Sequence, residues 1–382
     1  MLDEILTPEE RSVVARAKAF AEEHVAPNAA RWEWERRYPI ETIRLACAAN
    51  LHTIELAAKH GGQGLSFSCK LRAFEEIARH DFAFAFALIN HHNAVARFAR
   101  DGQPAHVARL LPRMIAGEVI GCAGLSEPGV GSDFGGLEMM AARVDGGWKL
   151  NGAKNWITNS GVADVYVTFA VTDPDVKFSR GITCFAVMGD ADGFRIDALE
   201  KKMGMKGSPT GQPVYEDVFV PDEDVIGEVG KGFAVAMQTL DRSRLGIGAQ
   251  ALGIAQGATD YAADYAKERI AFGKPINQLQ AIQFKLADME AGTAAARELL
   301  YKACALADRP ERPADLGKWT SMAKLIASDN AMRVTVEAIQ VLGGYGYVNE
   351  YPVERMMRDA KITQIYEGTN EIQRLVIARA MA

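Results

Sequence analysis

The stretch Ala163-Asp-Val-Tyr-Val-Thr-Phe-Ala-Val171 decides how the rest of the chain is read. Val165, Val167, Phe169 and Val171 occupy every second position, the period of a strand with one buried face. On both sides the period is helical. Upstream, Pro8 and the acidic Glu9-Glu10 open a segment with Val13, Val14, Ala17, Phe20 and Ala21 at helical spacing. Further helices are expected after Pro39, from Cys69 to about Arg100, and over 104–116. Downstream of Gly232, Leu245, Ala249, Leu252, Ala255, Ala258, Tyr261, Ala262 and Tyr265 form an apolar stripe on a long helix. The pattern returns over 279–307 and 314–342, and short helices follow 352 and 369. Three long helices imply a bundle. Between the helical parts, Met140–Val144 and 148–150 flank Asp145-Gly146-Gly147, a hairpin turn, and residues 182–188 and 214–220 read as two more strands.

The order is therefore α, then β, then α. An α+β multidomain chain is expected, divided at 1–117, 118–231 and 232–382. A Rossmann enzyme would alternate strands and helices, and neither G-x-G-x-x-G nor a P-loop is present.

Composition removes other classes. With 48% hydrophobic residues in 382, the chain can bury sizeable cores, which excludes disorder. Forty-three basic residues against 49 acidic, with no basic tract, leave nucleic-acid binding without support. No apolar run is long enough for membrane insertion, and the acidic start lacks a signal-peptide pattern, so a cytoplasmic location is expected. Five scattered cysteines read as reduced thiols. All seven histidines lie in the first third without metal-ligand spacing, so no metal site is expected.

Four segments can carry chemistry. Gly124-Leu-Ser-Glu-Pro-Gly-Val-Gly-Ser-Asp133 is either a surface connection or a loop whose N–H groups cradle an anion or planar ring. In Asn155-Trp-Ile-Thr-Asn159, Trp156 either flanks a planar cofactor or is a core tryptophan. Gln340-Val-Leu-Gly-Gly-Tyr-Gly346 has more glycine than a helix stop needs, which suggests close backbone approach. Glu367, in Ile365-Tyr-Glu-Gly-Thr-Asn-Glu371, is either a solvated loop carboxylate or, in apolar surroundings, a general base.

Taken together, in order and spacing, these segments resemble the flavin-dependent acyl-CoA dehydrogenase family from about residue 3 to the end. GLSEPGVGSD matches the first signature, except that Val130 stands where a small residue is usual. Residues 340–361 fit the second signature, and IYEGTNEIQR matches the segment that bears the catalytic base. MQTLDRSRLGIGAQALG looks most like the short-chain and related bacterial branch.

The resemblance implies an N-terminal all-α domain, a middle β-barrel and a C-terminal four-helix bundle. It implies FAD as cofactor and Glu367 as the base that removes the α-proton of an acyl-CoA thioester. Cofactor residues carried over are Ala123, Leu125, Ser126, Ser132, Trp156, Ile157, Thr158, Arg269, Gln280, Gln340, Gly343, Gly344, Thr369, Asn370 and Glu371. Ser132, Asp241, Arg244 and Gly368 would meet the acyl-CoA. A minority branch carries its base where this chain has Ser243, which cannot do that job. The implied partners are an electron-transferring flavoprotein and further copies of the chain in a homotetramer. An acyl-CoA oxidase and a flavin-free acyl-CoA-binding scaffold are the alternatives. The adjacent His91 and His92 either contact a polar or cyclic acyl group or pack as core histidines.

Overall fold

A computed structural model describes residues 5–311 and 313–382, without the side chains of Gln238 and Asp241. The first helix, α1 (Pro8–Phe20), starts where the sequence supplies a reciprocal cap. Thr7 Oγ1 accepts from the Glu10 N–H at 3.2 Å, and the Thr7 N–H donates to Glu10 Oε2 at 2.9 Å. Helices α2 (Ala29–Glu35) and α3 (Ile40–Ala48) follow.

The single helix expected over 69–100 is two, α4 (Phe67–Ala78) and α5 (Phe82–Asp101). The periodicity continues across the break, but Asp81 takes extended backbone and its carboxylate accepts the Phe84 N–H at 2.7 Å. A short acid that bonds the backbone ahead of it restarts a helix rather than continuing one. Helix α6 (Pro104–Ile115) closes the N-terminal part.

The middle part is a nine-stranded sheet ordered β4 (Ile157–Thr158), β8 (Thr210–Pro221), β3 (Gly147–Ala153), β2 (Met140–Val144), β5 (Val165–Val171), β6 (Ile182–Met188), β9 (Val225–Ile226). Off this path, β1 (Gly121–Gly124) pairs in parallel with β5, and β7 (Phe194–Leu199) pairs with β8. Sequence alternation had implied a β5 buried on one face; all seven of its residues are buried. Val165, Val167, Phe169 and Val171 pack with Val95 and Phe98 of α5 and Leu110 and Leu111 of α6. Tyr166 and Ala170 point into a separate core with Trp148, Phe185, Tyr215 and Val218. The helices cover one face and the sheet's own curvature encloses the other, as in a barrel.

The C-terminal part holds α7 (Gly232–Glu268), a hairpin of β10 (Ile270–Ala271) and β11 (Lys274–Pro275), then α8 (Gln280–Ala307), α9 (Leu316–Leu342), α10 (Pro352–Ile362) and α11 (Asn370–Arg379). Helices α7, α8 and α9 pack on one another and α10 packs against α9 and α7. One apolar core runs from α1, α4 and α5 into this bundle. The contact of α4 with α7 is close: a Cβ on Gly257 would lie 2.2 Å from the Arg79 carbonyl oxygen. Only glycine lets those backbones approach so far. Among the described residues no helix is long and apolar enough to cross a membrane.

Candidate active site

Glu367 sits in a turn between α10 and α11 with φ +53°, followed by Gly368 at φ +84°. A non-glycine residue in the left-handed region carries strain that the surroundings must hold. Here the holding groups are visible. Lys324, fully buried in α9, donates to the Gly368 carbonyl at 3.0 Å and to Asn370 Oδ1 at 2.9 Å. Gln373 Nε2 donates to the Gly368 carbonyl at 2.8 Å, and Thr369 caps α11 by accepting the Ile372 N–H. Tyr366 packs its ring on Phe86 with centroids 4.8 Å apart.

The carboxylate itself meets α7. Ser243 Oγ donates to Glu367 Oε2 at 2.7 Å. Desolvation by the surrounding protein pushes the Glu367 pKa up, against the Ser243 hydrogen bond and the charges of Arg244 and Lys324, which act downward. Lys324 is pushed down to about 8 by desolvation, opposed by Glu367. A carboxylate with a raised pKa, kept from free solvent, can take a proton from a weak carbon acid near neutral pH.

A second group lies where the helical part meets the sheet. The Asn155 N–H donates to the Ser126 carbonyl at 2.9 Å, and Lys154 Nζ donates to Glu127 Oε1 at 2.7 Å and the Leu125 carbonyl at 3.3 Å. These bonds bring together two of the segments singled out in the sequence. Trp156 follows at φ +63° with 60% of its surface exposed, so it is not a core tryptophan. Ile157 and Thr158 are held in β4 against Gly211 and Thr210, and Ala123 lies in β1. Val130 needs no smaller residue in its place, because it is buried against the α5–β5 core while its backbone pairs with Glu127. Ser132 is exposed.

A third group lies at the far end of α9 from Lys324. Arg269 caps α7 and its guanidinium lies 5.4 Å over the Tyr345 ring. Gln280, Gln340, Gly343 and Gly344 are exposed, and a Cβ on either glycine would meet nothing within 4 Å. From Lys324 to Gly343 is 19 residues along and just past α9, about 28 Å at 1.5 Å per residue. The structure therefore gathers Glu367, Gly368, Asn370 and Arg244 at one place and Arg269, Gly343 and Gly344 at another. Glu371 is exposed at the start of α11, and the side chain of Asp241 lies outside the described residues.

The two adjacent histidines part company. His91 is core: Gly121 N–H donates to its Nδ1 at 3.1 Å, and its Nε2–H reaches the Met114 carbonyl at 3.0 Å. Cys47 and His52 come near it at metal-ligand spacing, but both His91 nitrogens are already engaged. His92 instead lines a cavity of about 390 Å³ bordered by Ser243 and Phe86.

The geometry thus sets an exposed aromatic beside a glycine-rich loop and, elsewhere, a strained glutamate facing a hydroxyl and two cations. The aromatic, the loop and the glutamate are features that the acyl-CoA dehydrogenase resemblance singles out. Comparison with known proteins agrees. The acyl-CoA dehydrogenase N-terminal, middle and C-terminal domain models match residues 7–118, 122–218 and 230–382. An acyl-CoA dehydrogenase of Bacillus subtilis (strain 168) is 41% identical over 378 residues, 98% of each chain. The three-dimensional structure of butyryl-CoA dehydrogenase from Megasphaera elsdenii superposes with a TM-score of 0.94 at 40% identity over 98% of each chain. A chain solved in work on the electron transferring flavoprotein of Acidaminococcus fermentans gives 0.94 at 38%, again over 98% of each. The chain belongs to the acyl-CoA dehydrogenase family, oxidoreductases whose cofactor is FAD.

Two residues of the site escaped sequence reading. Ser243, which cannot itself act as a base, donates to the Glu367 carboxylate. Lys324 was passed over, although its position on the stripe of Thr320, Ala323 and Ala327 put a charge where an apolar residue belongs. A lysine on a buried stripe is a usable signal.

Proposed function

We propose that the protein catalyses α,β-dehydrogenation of an acyl-CoA thioester to the trans-2-enoyl-CoA and passes the electrons to an electron-transferring flavoprotein. The observation that carries the reading is the Glu367 carboxylate, raised in pKa and held in a fixed turn beside Ser243. FAD, when bound, supplies the acceptor for the β-hydrogen as hydride. The chain's own work is the rest. Glu367 takes the α-proton, the N–H of its strained turn polarises the thioester oxygen, and Arg244 draws the polyanionic coenzyme to a net acidic protein. Leu125, Ser126, Trp156 and Thr158 fit a planar ring, because Trp156 offers an open aromatic face next to the Glu127 turn.

Arg269, Gln280, Gln340, Gly343 and Gly344 fit the pyrophosphate and adenosine of an FAD held mainly by a neighbouring copy. Their displacement along α9 supports this, as do exposed Phe272 (90%) and Phe284 (59%), apolar surface suited to a homotetramer contact. Five free, buried cysteines suit a reducing cytoplasm. The deciding experiment is anaerobic addition of acyl-CoA thioesters to the yellow protein. Bleaching by at least one, with ferricenium supporting turnover far better than oxygen, is expected. Stoichiometric peroxide at a comparable rate would make it an oxidase, and no bleaching by any thioester would end the proposal.

A further inference from the structure

The cavity beside Ser243 is not lined as a hydrocarbon chamber should be. Phe86, which packs on Tyr366, and Ile247 are among its apolar walls. Its charged lining, however, is Lys59, Lys70, Arg97, Arg100 and Arg242 against a single carboxylate, Glu55. Arg97 and Arg100 share one oxygen of Asp101, at 2.5 and 3.1 Å. Lys70 and Arg242 both pair with Glu55, whose Oε1 also lies 3.0 Å from His92 Nε2. Two carboxylates thus serve four of these five cations, in a protein whose net charge is −6.

These charges are not surface ornament. Lys70 is 3% exposed and His92 1%. Desolvation acts to raise the Glu55 pKa, but Lys70, His92 and Arg242 hold it well below the usual carboxylate range, so it stays ionised. His92 Nδ1–H donates to the His52 carbonyl, and its Nε2 lies 3.1 Å from Lys70 Nζ and 3.0 Å from Glu55 Oε1. The Arg242 guanidinium is stacked 3.9 Å over the Phe67 ring, which fixes its plane. One of its nitrogens is engaged with Glu55; its side chain remains 41% exposed. A saturated tail pushed into this space would strip water from these groups and return no hydrogen bond. A carboxylate would accept from a fork already oriented to give two.

We infer that the chamber takes an acyl group ending in an anion, a dicarboxylyl-CoA thioester whose distal carboxylate pairs with Arg242 and Lys70. This rests on the proposed dehydrogenation and names its substrate class. Gln250 is the competing feature: it is fully buried, lines the same cavity, and its Oε1 has no hydrogen-bond partner. An acyl hydroxyl would suit that atom, and the test includes one.

The experiment compares kcat/KM, read with ferricenium, for glutaryl-, adipoyl- and suberoyl-CoA against pentanoyl-, hexanoyl- and octanoyl-CoA and 6-hydroxyhexanoyl-CoA. The best dicarboxylyl thioester is expected to exceed its straight-chain counterpart of equal carbon number by tenfold or more. Arg242→Met should lower that ratio at least tenfold. Glu55→Gln, which removes the competing anion, should raise it. Retained flavin absorbance in each variant guards against misfolding. Straight-chain thioesters preferred at every length, a ratio indifferent to Arg242→Met, or the hydroxyacyl thioester preferred over both would each overturn the inference and leave dehydrogenation standing. If no thioester of any class bleaches the flavin, the proposed function and this inference fall together.

Discussion

The two halves of α9 meet different surroundings. In the N-terminal half, Lys324 is fully buried and spends its protons on the Gly368 carbonyl and Asn370. Beyond the C-terminal end, Gly343 and Gly344 stand in open space and Tyr347 is 84% exposed. One half completes a site within its own chain; the other presents donors and backbone outward. On the proposed function, the contrast means that a single helix serves two cofactor contacts at once, near Glu367 in its own subunit and far from it in the next. The same proposal assigns chemistry to the closed half and retention of the cofactor to the open one.

Replacing Glu367 by Gln breaks the closed half most deeply. The amide keeps the shape but cannot accept a proton, so anaerobic flavin reduction should fall by roughly 10²–10⁴-fold while FAD stays bound. Near-normal bleaching would mean that the base lies elsewhere. Arg269→Glu attacks the open half instead. It sets like charge where phosphate is expected, and FAD affinity should weaken by roughly tenfold to a hundredfold, the worth of a charge-assisted bond. Sedimentation should show the assembly loosening with flavin loss, since the two are linked. A monomer that still holds stoichiometric FAD refutes the shared site. Ser243→Ala is the mildest. Its hydroxyl favours the ionised form of Glu367, so removing it raises the pKa further and leaves less base at low pH. The rate of flavin reduction should drop roughly threefold to tenfold near pH 6 and converge with the parent by pH 9. Equal loss at both pH values would make Ser243 a packing residue only.

Much of this was legible beforehand, and the exceptions have causes. Long helices such as α7 and α9 repeat their apolar stripe often enough that no local residue overrides it. Strands β4 and β9, two residues each, carry no period at all; they exist because β8 and β6 offer ladder partners. The complete burial of β5 depends on α5 and α6, which no local window contains. Glu367 is singled out by its neighbours in the motif, whereas Ser243, 124 positions away, meets it only because α7 crosses the α10–α11 turn. The charges at Glu55, Lys70 and Arg242 are scattered in the sequence and become a group only in space.

That scattering has a consequence for inheritance. Glu367, the proposed base, lies in the last sixteen residues of the chain, whereas the charged wall of the cavity comes from the first hundred residues and one position on α7. Recombination that exchanged the first hundred residues between two relatives would transplant most of the chamber and leave the proton-taking turn untouched. If the chamber selects the acyl group as inferred, swapping one gene segment and one codon between relatives should move substrate preference while the reaction stays the same.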